Sequence, residues 1–263
     1  MALANFETYV PGRSRLHTWT PRLKLVSLGL LMFAFAAVRH LALVPPMLCL
    51  TAVLYLLSEL PFSFLLKRLS YPGLFILVVV LVLPFSTGET VLWQWGALAL
   101  RQEGIETMFL ILGRFLSILT LGFILLGTTP FVTLLRALRS LGLPTLIADM
   151  TLLSYRYLFE TAEMLSTMQR SMRLRGFGQQ RRKFRLQRQD LQRLAGLLGT
   201  LLVRSYERSE RVYKAMQLRG YGQLKRPVEN PSIDSSSALL TGFSVIAALS
   251  FVIVEFSLPA VNL

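Results

Sequence analysis

The sequence predicts an all-α, polytopic membrane protein with about five transmembrane helices and a long cytoplasmic helical insert before the last of them. Three observations predict it. Of 263 residues, 53% are hydrophobic and only 16% charged, too apolar for an ordinary soluble domain of this length. Five apolar stretches approach the ~20 residues needed to cross about 30 Å of hydrocarbon. The basic residues are also segregated: 19 of the 28 Lys and Arg lie between positions 136 and 226, whereas the apolar stretches hold almost none. A net charge of +14 would otherwise suggest nucleic acid as a partner, but this placement is that of a cytoplasmic insert under the positive-inside rule. No nucleic-acid partner is therefore expected.

The N-terminal MALANFETYVPGRSRLHTWTPRLK has no short apolar core followed by a small-residue cleavage site, so no removable signal peptide is expected. The predicted spans are 23–38, 41–57, 71–85, 108–128 and 238–256. The first three are short and must borrow flanking residues; Pro45, Pro46 and Pro72 blur their ends, and the third is expected to kink. Cys49 is the single cysteine, which excludes a disulfide within one chain and suggests a small packing residue.

Basic residues in the connections set the orientation. Arg13, Arg15, Arg22 and Lys24 precede the first span, Lys67 and Arg68 follow the second, and the large basic block follows the fourth. With five spans these groups share one side, leaving Arg39, Arg101 and an interfacial loop with Trp93 and Trp95 on the other. This places the N-terminus inside and the C-terminus outside. Arg114 is explained most simply as an interfacial arginine near the outer end of the fourth span, snorkelling or bonding carbonyls of a neighbouring helix; Glu255 sits at the outer end of the last.

Three regions follow: 1–128 with four spans, 129–236 as a helical insert, and 237–263 with the last span. In the insert, Phe131, Leu134, Leu135, Leu138 and Leu141 describe a short amphipathic helix lying along the bilayer surface. Pro144 suits the first turn of a second helix, which runs unbroken to Gly176, about 45 Å at 1.5 Å per residue. Asp149 and Arg156 would be costly against lipid, so this helix is expected in or under the bundle. After the basic linker GFGQQRRKFRLQRQ, Asp190 is a natural N-cap for a third helix ending at Gly220. Glu207 with Arg211 and Glu210 with Lys214 support it as i, i+4 pairs, and 225–237 is a linker back to the membrane.

The two helix ends are copies of each other. Ser171-Met172-Arg173-Leu174-Arg175-Gly176-Phe177-Gly178 aligns with Ala215-Met216-Gln217-Leu218-Arg219-Gly220-Tyr221-Gly222 at an offset of 44 residues, with five positions identical. A glycine after the last helical residue takes the left-handed conformation that ends a helix, and the aromatic after it folds back on the residue inside the cap. That pairs Phe177 with Met172 and Tyr221 with Met216. Each arginine sits where the helix dipole favours a cation and projects its donors from a rigid stub toward a partner's carboxylate. One Arg-Gly is a common helix stop; two suggest two docking sites. A helical solenoid of the same period would need three or more units.

From LHTWTPRLKL at 16–25, LLRALRSLGLP leading into LSYRYLF within 134–159, and the paired SMRLRG and AMQLRG, the chain resembles the transmembrane coupling (T) subunit of energy-coupling-factor ABC transporters, closest to the cobalt and nickel branch. That family carries two Ala-x-x-x-Arg-Gly signatures at the ends of two cytoplasmic coupling helices, each docking on one ATPase subunit. The resemblance implies ATPase docking by Ala215, Arg219 and Gly220, which match in full, and by Ser171, Arg175 and Gly176, where serine replaces alanine. Met172, Phe177, Met216 and Tyr221 would support the caps. It also implies as partners two ATP-binding ABC subunits and a small substrate-binding membrane subunit that releases cobalt or nickel inside. A vitamin or other micronutrient is the alternative cargo.

Catalytic residues, metal ligands and cofactors are not expected in this chain. His17, His40 and Cys49 are scattered, whereas cobalt or nickel needs several ligands converging on one site. No Gly-rich phosphate loop and no acid–base pair is legible, so ATP hydrolysis falls to partners. A polytopic membrane enzyme would need polar groups converging at the membrane face. Anionic lipid or nucleic acid gripped by GQQRRKFRLQRQ is a further alternative, although topology explains those arginines more simply.

Overall fold

A computed structural model describes residues 9–12, 14–86, 91–95, 98–176, 188–222 and 235–257. Arg13, Phe177, Gly178, most of the basic linker and 223–234 lie outside them. The described residues divide into two compact units, one from 9–141 with 235–257 and one from 142–222.

The first unit is built from α1 (Arg15–Thr18), α2 (Pro21–Ala37), α3 (Val44–Ser58) after a 3-10 turn at Leu41–Leu43, α4 (Phe62–Ser86), α5 (Gln102–Thr128), α6 (Phe131–Ser140) and α9 (Ser235–Ser257). Proline opens α2 and α3, where a missing N–H costs nothing. Glu59, at φ 54°, ends α3 in the left-handed region. Among the described residues, four helices are long and apolar enough to cross a membrane: Leu41–Ser58, Phe62–Pro84, Gln102–Thr128 and Ser235–Ser257. The 17 residues of α2 cover roughly 25 Å, so length alone leaves it just short.

Several expectations need correction. The described residues are nearly all helical, as expected, with one addition: Val91–Trp95 (β1) and Leu98–Arg101 (β2) pair as an antiparallel hairpin between α4 and α5. Lys67 and Arg68 belong to α4 rather than to the connection before it, and α4 continues through Pro72 and Pro84. The residues ahead of the span expected at 71–85 are thus the first turns of this helix, with the Arg68 guanidinium 5.1 Å from the centre of the Phe64 ring. Cys49 is exposed on α3, not packed. Because α5 begins at Gln102, Arg114 lies three turns inside it, where its guanidinium donates to the carbonyl of Val38; bonding a neighbouring helix, rather than snorkelling, accommodates it.

Contacts fix how the helices run. Trp19 Nε1 donates to Thr241 Oγ1 at 3.0 Å and the Thr20 N–H to Ser237 Oγ at 3.2 Å, while further along Phe35 meets Phe251 edge-to-face at 5.2 Å and the Arg39 N–H donates to Glu255 at 3.0 Å. α2 and α9 therefore run parallel. α3 and α5 are parallel too, since Gly113 faces Val44 and Gly127 faces Leu60. They are antiparallel to α2, because Lys24, near the start of α2, reaches Thr128 at the end of α5. One end of this unit thus gathers α1, the α3–α4 corner, the α5–α6 junction and the start of α9. The other gathers Val38 to Val44, Arg114 and Glu255. Leu28, Leu31, Phe35, Met47, Leu121 and Ile124 fill the core between them.

Lys24 is buried, 1% exposed, without a carboxylate beside it. Its ammonium donates to Leu16 O at 2.8 Å, to Thr129 Oγ1 at 3.0 Å and to Thr128 Oγ1, so all three N–H groups are satisfied. The carbonyl end of α5 supplies a favourable dipole for the cation. Lys24 thereby ties α1, α2 and the α5–α6 junction together.

The second unit is a pair of long helices, α7 (Thr145–Leu174) and α8 (Arg188–Leu218). Pro144 stands at the N-cap of α7, as its fixed φ suits. α8 starts at Arg188, two residues ahead of Asp190, so Asp190 is not its N-cap but already helical. Of the two anticipated i, i+4 pairs, Lys214 to Glu210 forms at 2.8 Å.

Candidate functional site

Both Arg-Gly segments end their helices in the same way. Arg175 is the C-cap of α7, with its N–H shared between Ser171 O at 3.2 Å and Met172 O at 3.1 Å; Gly176 follows at φ +87° with its N–H on Arg173 O at 3.0 Å. At the end of α8, the Arg219 N–H is shared between Ala215 O at 3.2 Å and Met216 O at 3.1 Å, and Gly220 sits at φ +72° with its N–H on Gln217 O at 2.9 Å. The Tyr221 N–H then bonds Met216 O at 3.0 Å. These last two bonds are the 5→2 and 6→1 pair of a Schellman motif, which needs the left-handed residue that glycine supplies without steric cost. The bond from Phe177 that would complete the first copy lies outside the described residues.

Side chains repeat as well. Met172 and Met216 are half-buried at equivalent positions, while Ala215, Arg175 and Arg219 are exposed. Ser171 is exposed, and its hydroxyl donates to Thr167 O at 3.0 Å, spending its donor inside its own helix. Neither the Arg175 nor the Arg219 guanidinium has a hydrogen-bond or ion-pair partner among the described residues.

The two copies stand at opposite ends of the pair. Tyr221 Oη donates to Asp149 Oδ2 at 3.2 Å, joining the end of α8 to the start of α7, and the Arg208 guanidinium pairs with Glu160 further along. α7 and α8 are therefore antiparallel. From 149 to 175 is 26 residues, so the two arginines lie about 40 Å apart along the helices. A cleft of about 490 Å³ opens between α7 and α8 on the Arg219 side, walled by Met150, Tyr157, Met164, Val212, Met216 and Tyr221.

Two residues escaped the sequence reading. Leu174 and Leu218, each just before its arginine, are 84% and 90% exposed. Their equivalence in the aligned repeat was the available signal: the same leucine stands before the arginine in both copies and is exposed in each. Each end thus presents an apolar knob beside a free cation, a combination suited to a partner's groove rimmed with carboxylate.

Among the described residues, no cluster of three or more His, Cys, Asp or Glu is placed to hold a metal ion. A helical membrane protein carrying two exposed, repeated helix ends has the makings of a connector. Comparison with known proteins gives the family: the chain belongs to the cobalt transport protein family (CbiQ), whose model matches residues 12–229. It is 29% identical over 232 residues to the energy-coupling factor transporter transmembrane protein EcfT of Limosilactobacillus fermentum, covering 82% of this chain and 83% of that one. The protein of the same name from Brevibacillus brevis is 29% identical over 222 residues, covering 81% and 83%. The one from Ruminiclostridium cellulolyticum is 33% identical over 138 residues, about half of each chain. These relatives are named as transporter transmembrane proteins.

Proposed function

We propose that this chain is the coupling subunit of an energy-coupling-factor importer, transmitting ATP-driven motion from two ATPase subunits to a separate substrate-binding membrane subunit. The observation that carries the reading is the matched pair of exposed Leu-Arg-Gly ends about 40 Å apart on antiparallel helices. One end occupies one groove; two ends so far apart require two, which suits a pair of ATPase subunits. In this arrangement Arg175 and Arg219 engage acidic rims, Leu174 and Leu218 fill apolar pockets, and Gly176 and Gly220 hold the ends in shape. Ser171 and Ala215 keep each end slim.

The membrane part is read as five spans, with α2 counted. Parallel α2 and α9 support that number, because three crossings lie between them. The end holding Arg15, Arg22, Lys24, Lys67, Arg68, Arg136 and Arg139 faces the cytoplasm of a bacterial inner membrane under the positive-inside rule, and the coupling helices emerge there. Cobalt or nickel is the proposed cargo, supported by the family's description and held by the partner membrane subunit. The test is to isolate the chain from its native membrane in mild detergent and identify what travels with it. Two ATP-binding subunits and one small membrane protein are expected, and the small protein's metal content identifies the cargo. Isolation of the chain alone, with uptake unaffected by its deletion, would overturn the reading.

A further inference from the structure

We propose that Glu160 and Arg208 form the pivot that fixes α7 against α8, so that displacement of one Arg-Gly end appears at the other. This rests on the docking reading above and assigns those helices a part that the ends themselves do not supply.

The pair sits where a pivot has to be. Glu160 falls near the midpoint of the 30-residue α7. From 160 to 175 is 15 residues and from 208 to 219 is 11, giving arms of about 22 Å and 16 Å to the two docking arginines. Both partners are held from more than one direction. The Arg208 guanidinium pairs with Glu160 and stands 5.9 Å from the centre of the Tyr157 ring, while Glu160 also receives Arg156 Nε at 3.6 Å. Tyr157 and Glu160 are one turn apart on α7, so Arg208 is gripped by a single helical face.

The surroundings make the pair matter for geometry more than for stability. On the Arg219 side α7 and α8 are separated by the open apolar cleft, closed at its far end by Tyr221 and Asp149. On the Arg175 side, no hydrogen bond or ion pair joins the helices beyond Glu160 among the described residues. Apolar methionine contacts can slide and rotate, whereas a charged, directional bond fixes register. The Arg208 and Glu160 side chains are 38% and 36% exposed, so an ion pair of this kind contributes little to folding stability. Its loss should leave two intact helices that swivel. The Arg175 arm, with no second hydrogen bond or ion pair to α8 among the described residues, should wander most.

The experiment uses the full chain with Cys49→Ser, spin labels at Arg173→Cys and Gln217→Cys, and distance measurement in lipid nanodiscs. The parent should give one narrow distribution near roughly 35 Å. Glu160→Gln and Arg208→Gln should each at least double its width, and the swap Glu160→Arg with Arg208→Glu should restore it. In the complete complex, uptake per ATP hydrolysed should fall about five-fold or more in each single variant, with ATPase recruitment unchanged, and recover in the swap. Parental widths in both single variants, or parental uptake per ATP, would overturn the pivot. Failure of the unsubstituted chain to recruit ATPases would instead overturn the docking reading, while the distance measurement still decides the pivot.

Discussion

Replacing Gly220 with alanine isolates what the left-handed cap contributes. Nothing lies within 4 Å of a Cβ built on Gly220, so the change meets no steric clash and acts through the backbone alone. At φ +72° an L-residue costs about 1–2 kcal/mol. Giving up that conformation instead forfeits the 6→1 and 5→2 bonds from Tyr221 and Gly220, each worth about 1 kcal/mol. Either route weakens the cap by about 1–2 kcal/mol, on the order of a factor of ten in the population of the ordered end. Amide exchange at Gly220 and Tyr221 should speed up about ten-fold while exchange in the middle of α8 stays unchanged. ATPase recruitment should weaken by a similar factor, because ordering the end becomes a cost of binding. Gly220→Asn should lose less, since asparagine tolerates the left-handed region. Unchanged exchange in the alanine variant would refute the argument.

Two further predictions concern the membrane unit. A Cβ at Gly113 would overlap Val44, where α3 approaches α5, so Gly113→Ala should destabilise by about 1–3 kcal/mol, visible in detergent thermal unfolding, and Val44→Ala should recover part of it; additive losses would contradict the contact. Lys24→Ala removes three charged hydrogen bonds, orphans the carbonyl of Leu16 and leaves a cavity, so the loss should be about 3 kcal/mol or more, with Lys24→Arg intermediate. An unfolding temperature equal to the parent's would show that the junction is held by other contacts.

Much of the fold was legible because membrane crossing demands long apolar runs and cytoplasmic loops demand cations. The places where the reading failed share a cause. Lys67 and Arg68 ended a span on charge alone, although a helix continues past the interface as long as its cations can reach water. Asp190 was a good cap in isolation, yet Arg188 and Gln189 are themselves good helix formers, and the helix started ahead of it. The β1–β2 hairpin had no alternating signal strong enough to displace an interfacial loop. At the candidate site, glycine spacing exposed the two helix ends, and the structure placed them at positive φ. Opposed placement of the ends, the Glu160–Arg208 pair and the exposure of Leu174 and Leu218 depend on how α7 meets α8, which no local pattern encodes.

The measurement that bears most directly on the central claim is ATPase recruitment by the Arg175→Glu, Arg219→Glu double variant, assayed by co-purification from membranes alongside cargo uptake. Each change reverses a guanidinium that has no hydrogen-bond or ion-pair partner among the described residues, so insertion and folding should be preserved. Recruitment and uptake should both be lost, and of the single variants Arg219→Glu should be the more damaging, because Ser171 already departs from the pattern that Ala215 keeps. ATPase subunits that still co-purify with the double variant, with uptake intact, would contradict the account.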